Sequence, residues 1–180
     1  MKIAVISCSL HPESRSFLLA RAAVEDLEAL GAEVAFVDLR ETDLPLCDGF
    51  DANETDECRA LAATIDDADA VLLAAPIYHY DVNAAAKNLV ELTGRVWEEK
   101  LVGFLCAAGG RSSYMAVMSF ANGLMLNFRC LIVPRFVYAT RDAFTDDGST
   151  RRIGSDEVRR RVRELAETTA RLARALASVR

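Results

Sequence analysis

Short, almost unbroken apolar runs alternate along the chain with longer segments of helical periodicity, and this alternation restricts the possible folds more than any other feature. The apolar runs, which we predict to be β-strands, lie at residues 3–7, 33–39, 70–75, 101–107 and 130–138. The helical segments lie at residues 14–30, 54–67, 83–93 and 113–127, and a last helix begins after Ser155. Strands without polar alternation need helices on both faces, as in a parallel sheet. The pattern therefore predicts an α/β protein, a three-layer α/β/α sandwich around a five-stranded parallel sheet.

Length and composition fit a single domain over residues 1–180, with one long polar loop at residues 140–153. Of its residues, 52% are apolar and 27% charged, typical of a protein with a buried core. No apolar run approaches the ~18 residues that span a bilayer, and the run at residues 3–6 is too short for a secretory signal. The five cysteines are widely spaced without a C-x-x-C pair, so we expect neither a disulfide framework nor a metal site. We expect a cytoplasmic protein without a membrane partner.

Positive charge is concentrated at the C-terminal end of a chain whose net charge is −6. Residues 151–180 contain nine arginines and four carboxylates. One apolar stripe at steps of three and four also runs through this segment: Val158, Val162, Leu165, Thr169, Leu172, Leu176 and Val179. We interpret the segment as an amphipathic helix that packs by its stripe, with arginines that balance an acidic body. Because the chain as a whole is acidic, we expect no nucleic-acid partner.

The first candidate loop follows the first strand and carries hydroxyl and cationic side chains. Its candidates are Ser9, His11, Ser14, Arg15 and Ser16. Free N–H groups and the positive end of the dipole at a helix N-terminus favour phosphate, so the loop predicts a hydroxyl-lined site for a phosphate monoester. Glycine-rich nucleotide motifs are absent here. A simple helix cap, for which one serine suffices, remains an alternative.

The second candidate loop follows the third strand and carries aromatic side chains. Its candidates are Pro76, Ile77, Tyr78 and His79, which Tyr80 follows. Aromatic rings at the end of a central strand suit a flat aromatic ligand, whose polar edge the backbone amides would meet. The alternative is a turn that begins at Pro76 and whose rings only cover the end of the sheet.

The third candidate loop follows the fourth strand and consists of Gly109, Gly110 and Arg111. A glycine pair lets the backbone approach a ligand closely, and an arginine binds phosphate or carboxylate. Any tight turn between a strand and a helix would also use glycine. All three loops are expected at the carboxyl end of the sheet, where ligands bind in folds of this class.

Three motifs in register resemble the NADPH-dependent FMN reductase family. The stretch C-S-L-H-P-E-S-R-S at residues 8–16, with Leu-Ala at 19–20, resembles that family's G-S-L-R-x-x-S-x-N…L-A opening. Residues 76–78 and 87–88 resemble its P-x-Y…K-N segment, and the glycines at 109–110 match its third loop. The likeness extends from residue 3 to about residue 138.

The resemblance implies a flavodoxin-like fold with strand order 2-1-3-4-5 and one FMN-binding domain. Ser9, Ser14 and Ser16 would hold the FMN phosphate, while residues 76–79 and 109–111 would line the isoalloxazine. His11 stands where the family has arginine. NADPH or NADH would donate hydride, and a free flavin, a quinone or another small molecule would accept the electrons. No catalytic side chain is expected, because the flavin carries the redox chemistry.

The resemblance also implies a homodimer or homotetramer, with apolar residues of the third and fourth helices as the interface. Tyr114, at the start of the fourth helix, is a further candidate for the mouth of the site.

Two other functions remain open from the residues. A flavodoxin-type electron carrier would share the fold and the FMN. A nucleoside- or nucleotide-processing enzyme on a similar sandwich would need a carboxylate nucleophile, and Asp81 is the candidate for that role.

Overall fold

Strands and helices alternate in the computed structural model, which describes residues 1–146 and 151–178, as the sequence predicts. The strands are β1 (Lys2–Ser7), β2 (Glu33–Asp38), β3 (Ala70–Tyr78), β4 (Asp81–Val82), β5 (Leu101–Ala108), β6 (Leu131–Ile132), β7 (Val137–Thr140), β8 (Phe144–Asp146) and β9 (Arg151–Ile153). The α-helices are α1 (Arg15–Ala29), α2 (Asp56–Asp66), α3 (Ala84–Thr93), α4 (Val117–Phe128) and α5 (Asp156–Ala177). Short 3-10 turns connect several of them.

The central sheet has the order β2-β1-β3-β5-β6, and β7 also pairs with β5. All these pairs are parallel, and the short β4 adds an antiparallel pair to β3. With β6 and β7 counted together as the predicted fifth strand, the order is the expected 2-1-3-4-5, so the flavodoxin-like sandwich is confirmed. The fifth strand divides around Pro134, which has no N–H to donate, and Arg135, whose φ is +62°.

Helices cover both faces of the sheet and bury two apolar cores. One core joins α1 and α5 to alternate strand residues such as Ile3, Val5 and Leu72. The other joins α2, α3 and α4 to the opposite set, such as Ile6 and Leu73. Each fully buried side chain of this size stabilises the fold by about 1.5–3 kcal/mol, so the sheet is a rigid base for the loops at its carboxyl end.

The predicted C-terminal amphipathic helix is confirmed as α5. Ser155 caps it by accepting a hydrogen bond from the Val158 N–H, and the stripe is buried as far as Thr169 and partly buried at Leu172 and Leu176. Val179 lies outside the described residues. Arg159 forms an ion pair with the buried carboxylate of Asp26 on α1. Part of the positive charge therefore joins α5 to α1.

Residues 140–146 and 151–153 do not form the open loop that we predict from the polarity of residues 140–153. A 3-10 turn at Arg141–Ala143 leads into β8, which pairs with β9 in a two-stranded antiparallel hairpin. The polar residues of this segment fit an exposed hairpin as well as a loop, so polarity alone does not distinguish them. Asp147 and Gly148 of the predicted loop lie outside the described residues.

All five cysteines are free thiols, and four of them, including Cys8, Cys106 and Cys130, are buried. Burial raises the pKa of Cys106 to about 12, raises that of Cys130 to about 11 and raises that of Cys8 further. Such thiols are poor nucleophiles at neutral pH. Within residues 1–146 and 151–178, no cluster of three metal-ligating side chains occurs, and no helix is both long and apolar enough to cross a membrane.

Candidate functional site

The three serines of the first loop form a buried group of hydroxyls at the N-terminus of α1. Ser14 caps the helix, since its Oγ accepts a hydrogen bond of 3.1 Å from the Phe17 N–H. The Ser14 and Ser16 hydroxyls lie 3.0 Å apart, and Ser9 Oγ accepts a bond of 3.3 Å from the His11 N–H. One serine suffices to cap a helix, so the other two hydroxyls are available for a further role.

His11 is exposed at the edge of this loop, and its ring orders the backbone. Its Nδ1 accepts a hydrogen bond of 3.0 Å from the Glu13 N–H. An accepting Nδ1 carries no proton, so in this arrangement Nε2 is the ring nitrogen that donates. The orientation leaves one donor for an anion at the mouth of the loop.

Arg15, the first residue of α1, has a buried Nε without a hydrogen-bond partner. Burial lowers the pKa of Arg15, and the positive charges of Arg151 and Arg141 lower it further. A buried unpaired donor beside other cations is unfavourable unless an anion neutralises it. These cationic groups, with the serine hydroxyls and the helix N-terminus, fit a phosphate.

The third strand extends further along the chain than residue 75, where we predict its end. Pro76, Ile77 and Tyr78 belong to β3, so the alternative of a turn that begins at Pro76 is wrong. Pairing with β1 ends at Ala74, so a proline at position 76 interrupts no bond on that side. The strand therefore continues along β5, and the aromatic side chains stand at its end.

The turn itself is formed by His79 and Tyr80, which join β3 to β4. Their φ angles are +50° and +64°, the left-handed region, as in a two-residue hairpin that normally contains Asn and Gly. Each non-glycine residue in this conformation costs roughly 1–2 kcal/mol. The exposed fractions of Tyr78 and Tyr80 are 51% and 66%, so burial of their rings offsets little of the cost. Strain of this kind is common at binding sites.

Two hydrogen bonds fix the relative positions of the candidate loops. The Asn83 amide donates a bond of 2.7 Å to the Cys8 carbonyl and so joins the segment after β4 to the first loop. The Tyr138 hydroxyl donates a bond of 2.6 Å to the Gly110 carbonyl and so holds the third loop against β7. The loops therefore have defined positions before any ligand enters.

Most of the predicted site residues line one cavity of about 580 Å³ at the carboxyl end of the sheet. They are Ser9, His11, Ser14, Arg15, Ser16, Pro76, Ile77, Tyr78, His79 and Gly109. Gly110 and Arg111 line an adjoining depression that shares Gly109 with the cavity. Arg111 is highly exposed, and its guanidinium lies 3.6 Å from Asp142.

Sequence reasoning missed four residues that also line this cavity: Glu13, Ala107, Ala108 and Arg151. The two alanines end β5, where their position next to the glycine pair is a usable signal. No local signal indicates Arg151, because it reaches the cavity only through the β8–β9 hairpin.

Two other candidates lie elsewhere. Tyr114 packs against Phe136 and Tyr138, with ring centroids 5.1 and 5.3 Å away, and lines a groove beside α5. Asp81 lines a separate cavity of about 850 Å³ between α3 and α4, where it accepts hydrogen bonds from the Val82 N–H and the Ser119 hydroxyl. Neither side chain lines the cavity that contains the serines.

The order of the sheet defines a flavodoxin-like α/β protein, with a cavity at its carboxyl end that is lined by hydroxyl and cationic side chains at the start of α1. Residues 1–145 match the model of the family described as NADPH-dependent FMN reductase. The chain belongs to this family. Membership of the family confirms the predicted activity, NAD(P)H-dependent flavin oxidoreduction with FMN as cofactor.

Curated relatives match along almost the whole chain. A protein of Geobacillus thermodenitrificans named NAD(P)H-dependent FAD/FMN reductase is 25% identical over 169 residues, which cover 92% of this chain and 90% of the relative. FMN reductase (NADPH) of Pseudomonas aeruginosa is 26% identical over 174 residues, 95% of this chain and 91% of the relative.

Solved structures agree on the fold. An oxidoreductase of Corynebacterium diphtheriae superimposes with a TM-score of 0.77 at 19% identity, over 96% of each chain. The flavoenzyme FerB of Paracoccus denitrificans, an NAD(P)H:acceptor oxidoreductase, gives 0.76 at 19% identity, over 97% of each chain.

Proposed function

We propose that the chain holds FMN in the 580 Å³ cavity, with the phosphate at the serine-lined loop and the isoalloxazine toward the other two loops. Ser9, Ser14 and Ser16 would bind the phosphate oxygens, together with His11 and Arg15. The observation that carries this assignment is the buried, unpartnered Nε of Arg15 beside these hydroxyls. A phosphate would remove the cost of leaving that donor unpaired.

The ring would lie between the end of β3 and the third loop. Pro76, Ile77, Tyr78 and His79 would form one wall, and the backbone of Gly109 and Gly110 the other, since neither glycine has a neighbouring atom within 4 Å of the place where a Cβ would stand. Arg111, exposed in the adjoining depression, would meet a phosphate of FMN or of the nicotinamide cofactor.

Bound FMN would accept a hydride from NADPH or NADH and pass electrons to free flavin, a quinone or another small acceptor. The chain's own residues would bind and orient the ring, and no side-chain acid or base is required. We therefore assign no catalytic residue.

A spectrum tests this function directly. Purified protein should be yellow or become so when FMN is added, and NADPH or NADH alone should then bleach the flavin absorbance. A flavodoxin-type carrier would bind FMN but would not be reduced by the nicotinamide cofactor without a partner enzyme. A protein that stays colourless, and whose melting temperature does not respond to FMN, would contradict the proposal.

The second alternative, a nucleotide-processing enzyme, rests on Asp81. Its carboxylate faces the α3–α4 cavity rather than the serines. An Asp81→Ala variant that retains flavin reduction would remove this alternative.

We also propose a homodimer that buries the face of α4. Met118, Met125 and Leu126 are exposed on one side of this helix, and Met115, also exposed, precedes Met118 by three residues. The adjacent α3–α4 cavity is lined largely by apolar atoms, which suits a second copy of the chain.

Sedimentation of the wild type and of the Leu126→Glu variant tests the proposed dimer. We expect a dimeric wild type that the substitution dissociates, and a monomeric wild type would contradict the proposal. A cytoplasmic location, without membrane or nucleic-acid partners, completes the proposal.

A further inference from the structure

A second arginine, Arg151, lines the cavity that Arg15 and the serines also line. Arg151 is the first residue of β9 and lies beyond residues 1–145, the part that matches the family model. Its side chain is 23% exposed, which is low for an arginine on a two-stranded hairpin. The hairpin therefore adds a charged wall to the cavity.

Two carboxylates hold Arg151 in this position. Its Nη2 lies 2.9 Å from Asp146 Oδ2, on the paired strand of the hairpin, and 3.3 Å from Glu13 Oε2. Its Nη1 donates a hydrogen bond of 2.8 Å to the Glu13 carbonyl. Arg151 thus bridges the hairpin and the loop before α1.

Arg15 and Arg151 are close enough to repel each other. After burial, the charge of Arg151 is the main cause that lowers the pKa of Arg15. Nε of Arg15 remains without a partner, whereas Arg151 is neutralised from the rim by Glu13 and from the hairpin by Asp146. Two guanidinium groups on one cavity are stable together when an anion lies between them.

We propose that Arg151 and Arg15 bind the flavin phosphate from two sides, and that Glu13 competes with the phosphate for Arg151. This inference rests on the proposed function. A guanidinium matches the oxygens of a phosphate with two parallel hydrogen bonds, and a phosphate dianion carries more charge than one carboxylate. Glu13 is exposed, and an exposed ion pair of this kind is weak, so the phosphate displaces it at small cost.

The competition predicts opposite effects for two substitutions that break the same ion pair. Arg151→Gln removes a phosphate ligand and should weaken FMN binding by roughly tenfold or more. Glu13→Gln removes the competitor while Asp146 still holds the guanidinium, and it should tighten FMN binding by about two- to fivefold. If the pair served only to hold the hairpin on the loop, both substitutions would weaken binding.

Arg152→Gln is the matched control. Arg152 is the next residue of the same strand, so its side chain leaves the opposite face of the hairpin, where its Nε contacts Thr145 Oγ1 at 3.4 Å. Removal of this charge should change FMN affinity less than twofold.

Dissociation constants for FMN and riboflavin, measured by quenching of flavin fluorescence on the flavin-free protein, test the inference. Riboflavin lacks the phosphate, so its affinity should change less than twofold in all three variants. Equal losses for FMN and riboflavin in Arg151→Gln, or a weaker FMN complex in Glu13→Gln, would overturn the inference while leaving the proposed function intact.

Inorganic phosphate gives a second readout that does not depend on the flavin. It should raise the melting temperature of the wild type more than that of Arg151→Gln, and Arg151→Lys should retain part of the rise. Equal rises in the wild type and in Arg151→Gln would overturn this inference, whether or not the protein binds FMN. Failure to bind FMN is a different result, and it would contradict the proposed function itself.

Discussion

The two ends of the candidate cavity are built in different ways. At the end where we propose the phosphate, the phosphate end, the serines are buried and hydrogen-bonded to the backbone or to one another, and the buried Nε of Arg15 has no partner. At the ring end, Tyr78 and Tyr80 are more than half exposed, and the turn between them has strained backbone angles. The polar groups of one end are ordered in a way that suits a small anion, whereas the other end is open to solvent.

This contrast separates affinity from turnover. Charge-assisted hydrogen bonds at the buried end would supply much of the binding energy, since they are about twice as strong as neutral ones. An open ring end leaves a face accessible to a second substrate, which an oxidoreductase needs. FMN and riboflavin together distinguish the two ends, because a change at the phosphate end affects FMN alone and a change at the ring end affects both.

The largest effect is expected at the phosphate end, from Arg15→Gln. Loss of this guanidinium should weaken FMN binding by about 1.5–3 kcal/mol, which is roughly 10- to 150-fold, and leave riboflavin binding almost unchanged. The apoprotein should keep or gain stability, because a buried unpaired donor and its repulsion with Arg151 are both removed.

Fluorescence titration measures the affinities for FMN and riboflavin, and thermal unfolding of the flavin-free protein measures its stability. Arg21→Gln, on the same helix but with its guanidinium over the Phe36 ring, is the control and should leave FMN binding unchanged. An equal loss of riboflavin affinity in Arg15→Gln would contradict the division of the cavity into two ends.

The phosphate end was the easier one to predict from sequence. Ser9, Ser14 and Ser16 are local in the chain, and the start of α1 is marked by its own cap, so residue types and spacing suffice. The sequence does not predict Arg151 as a site residue, because its contact with Glu13 joins residues 138 positions apart. Polarity alone does not distinguish the paired strands β8 and β9 from a loop.

The ring end was harder, because pairing rather than composition decides where β3 ends. Pro76 looks like a turn residue in isolation, but pairing with β1 has already ended at Ala74. The strand can therefore continue to Tyr78, and the turn moves to His79 and Tyr80. The layers, in contrast, follow from the alternation of apolar runs and helices, which depends on many residues at once. The strand order is what the resemblance to the family implies, because the alternation alone leaves several doubly wound orders open.

Asn83 lies between the two ends, and its removal should affect both. Its buried amide bonds the Cys8 carbonyl, so Asn83→Leu leaves that carbonyl unpaired and should lower the free energy of unfolding by about 1–3 kcal/mol. Because the bond positions the first loop against the β3–β4 hairpin, we expect FMN and riboflavin to bind more weakly by similar factors.

Urea unfolding and the same titrations measure these effects, with the exposed Asn53→Ala as the control. A loss restricted to FMN would assign the bond to the phosphate end alone. Unchanged binding of both flavins would show that the two ends are positioned independently.

The smallest effect is expected from the backbone of Tyr80 at the ring end. Its φ of +64° suits glycine, so the Tyr80→Gly variant should be more stable than the Tyr80→Ala variant by about 1 kcal/mol. The opposite order holds within helices and strands, where glycine is less stable than alanine by roughly 0.5–1 kcal/mol. Both variants remove the ring, so their difference isolates the strain. For a chain of this length the melting temperatures of the two variants should differ by about 2–4 °C.

If the alanine variant were as stable as the glycine variant, the turn would carry no strain. If both variants bound FMN and riboflavin as the wild type does, the Tyr80 ring would play no part in holding the flavin, in agreement with the proposed wall of residues 76–79.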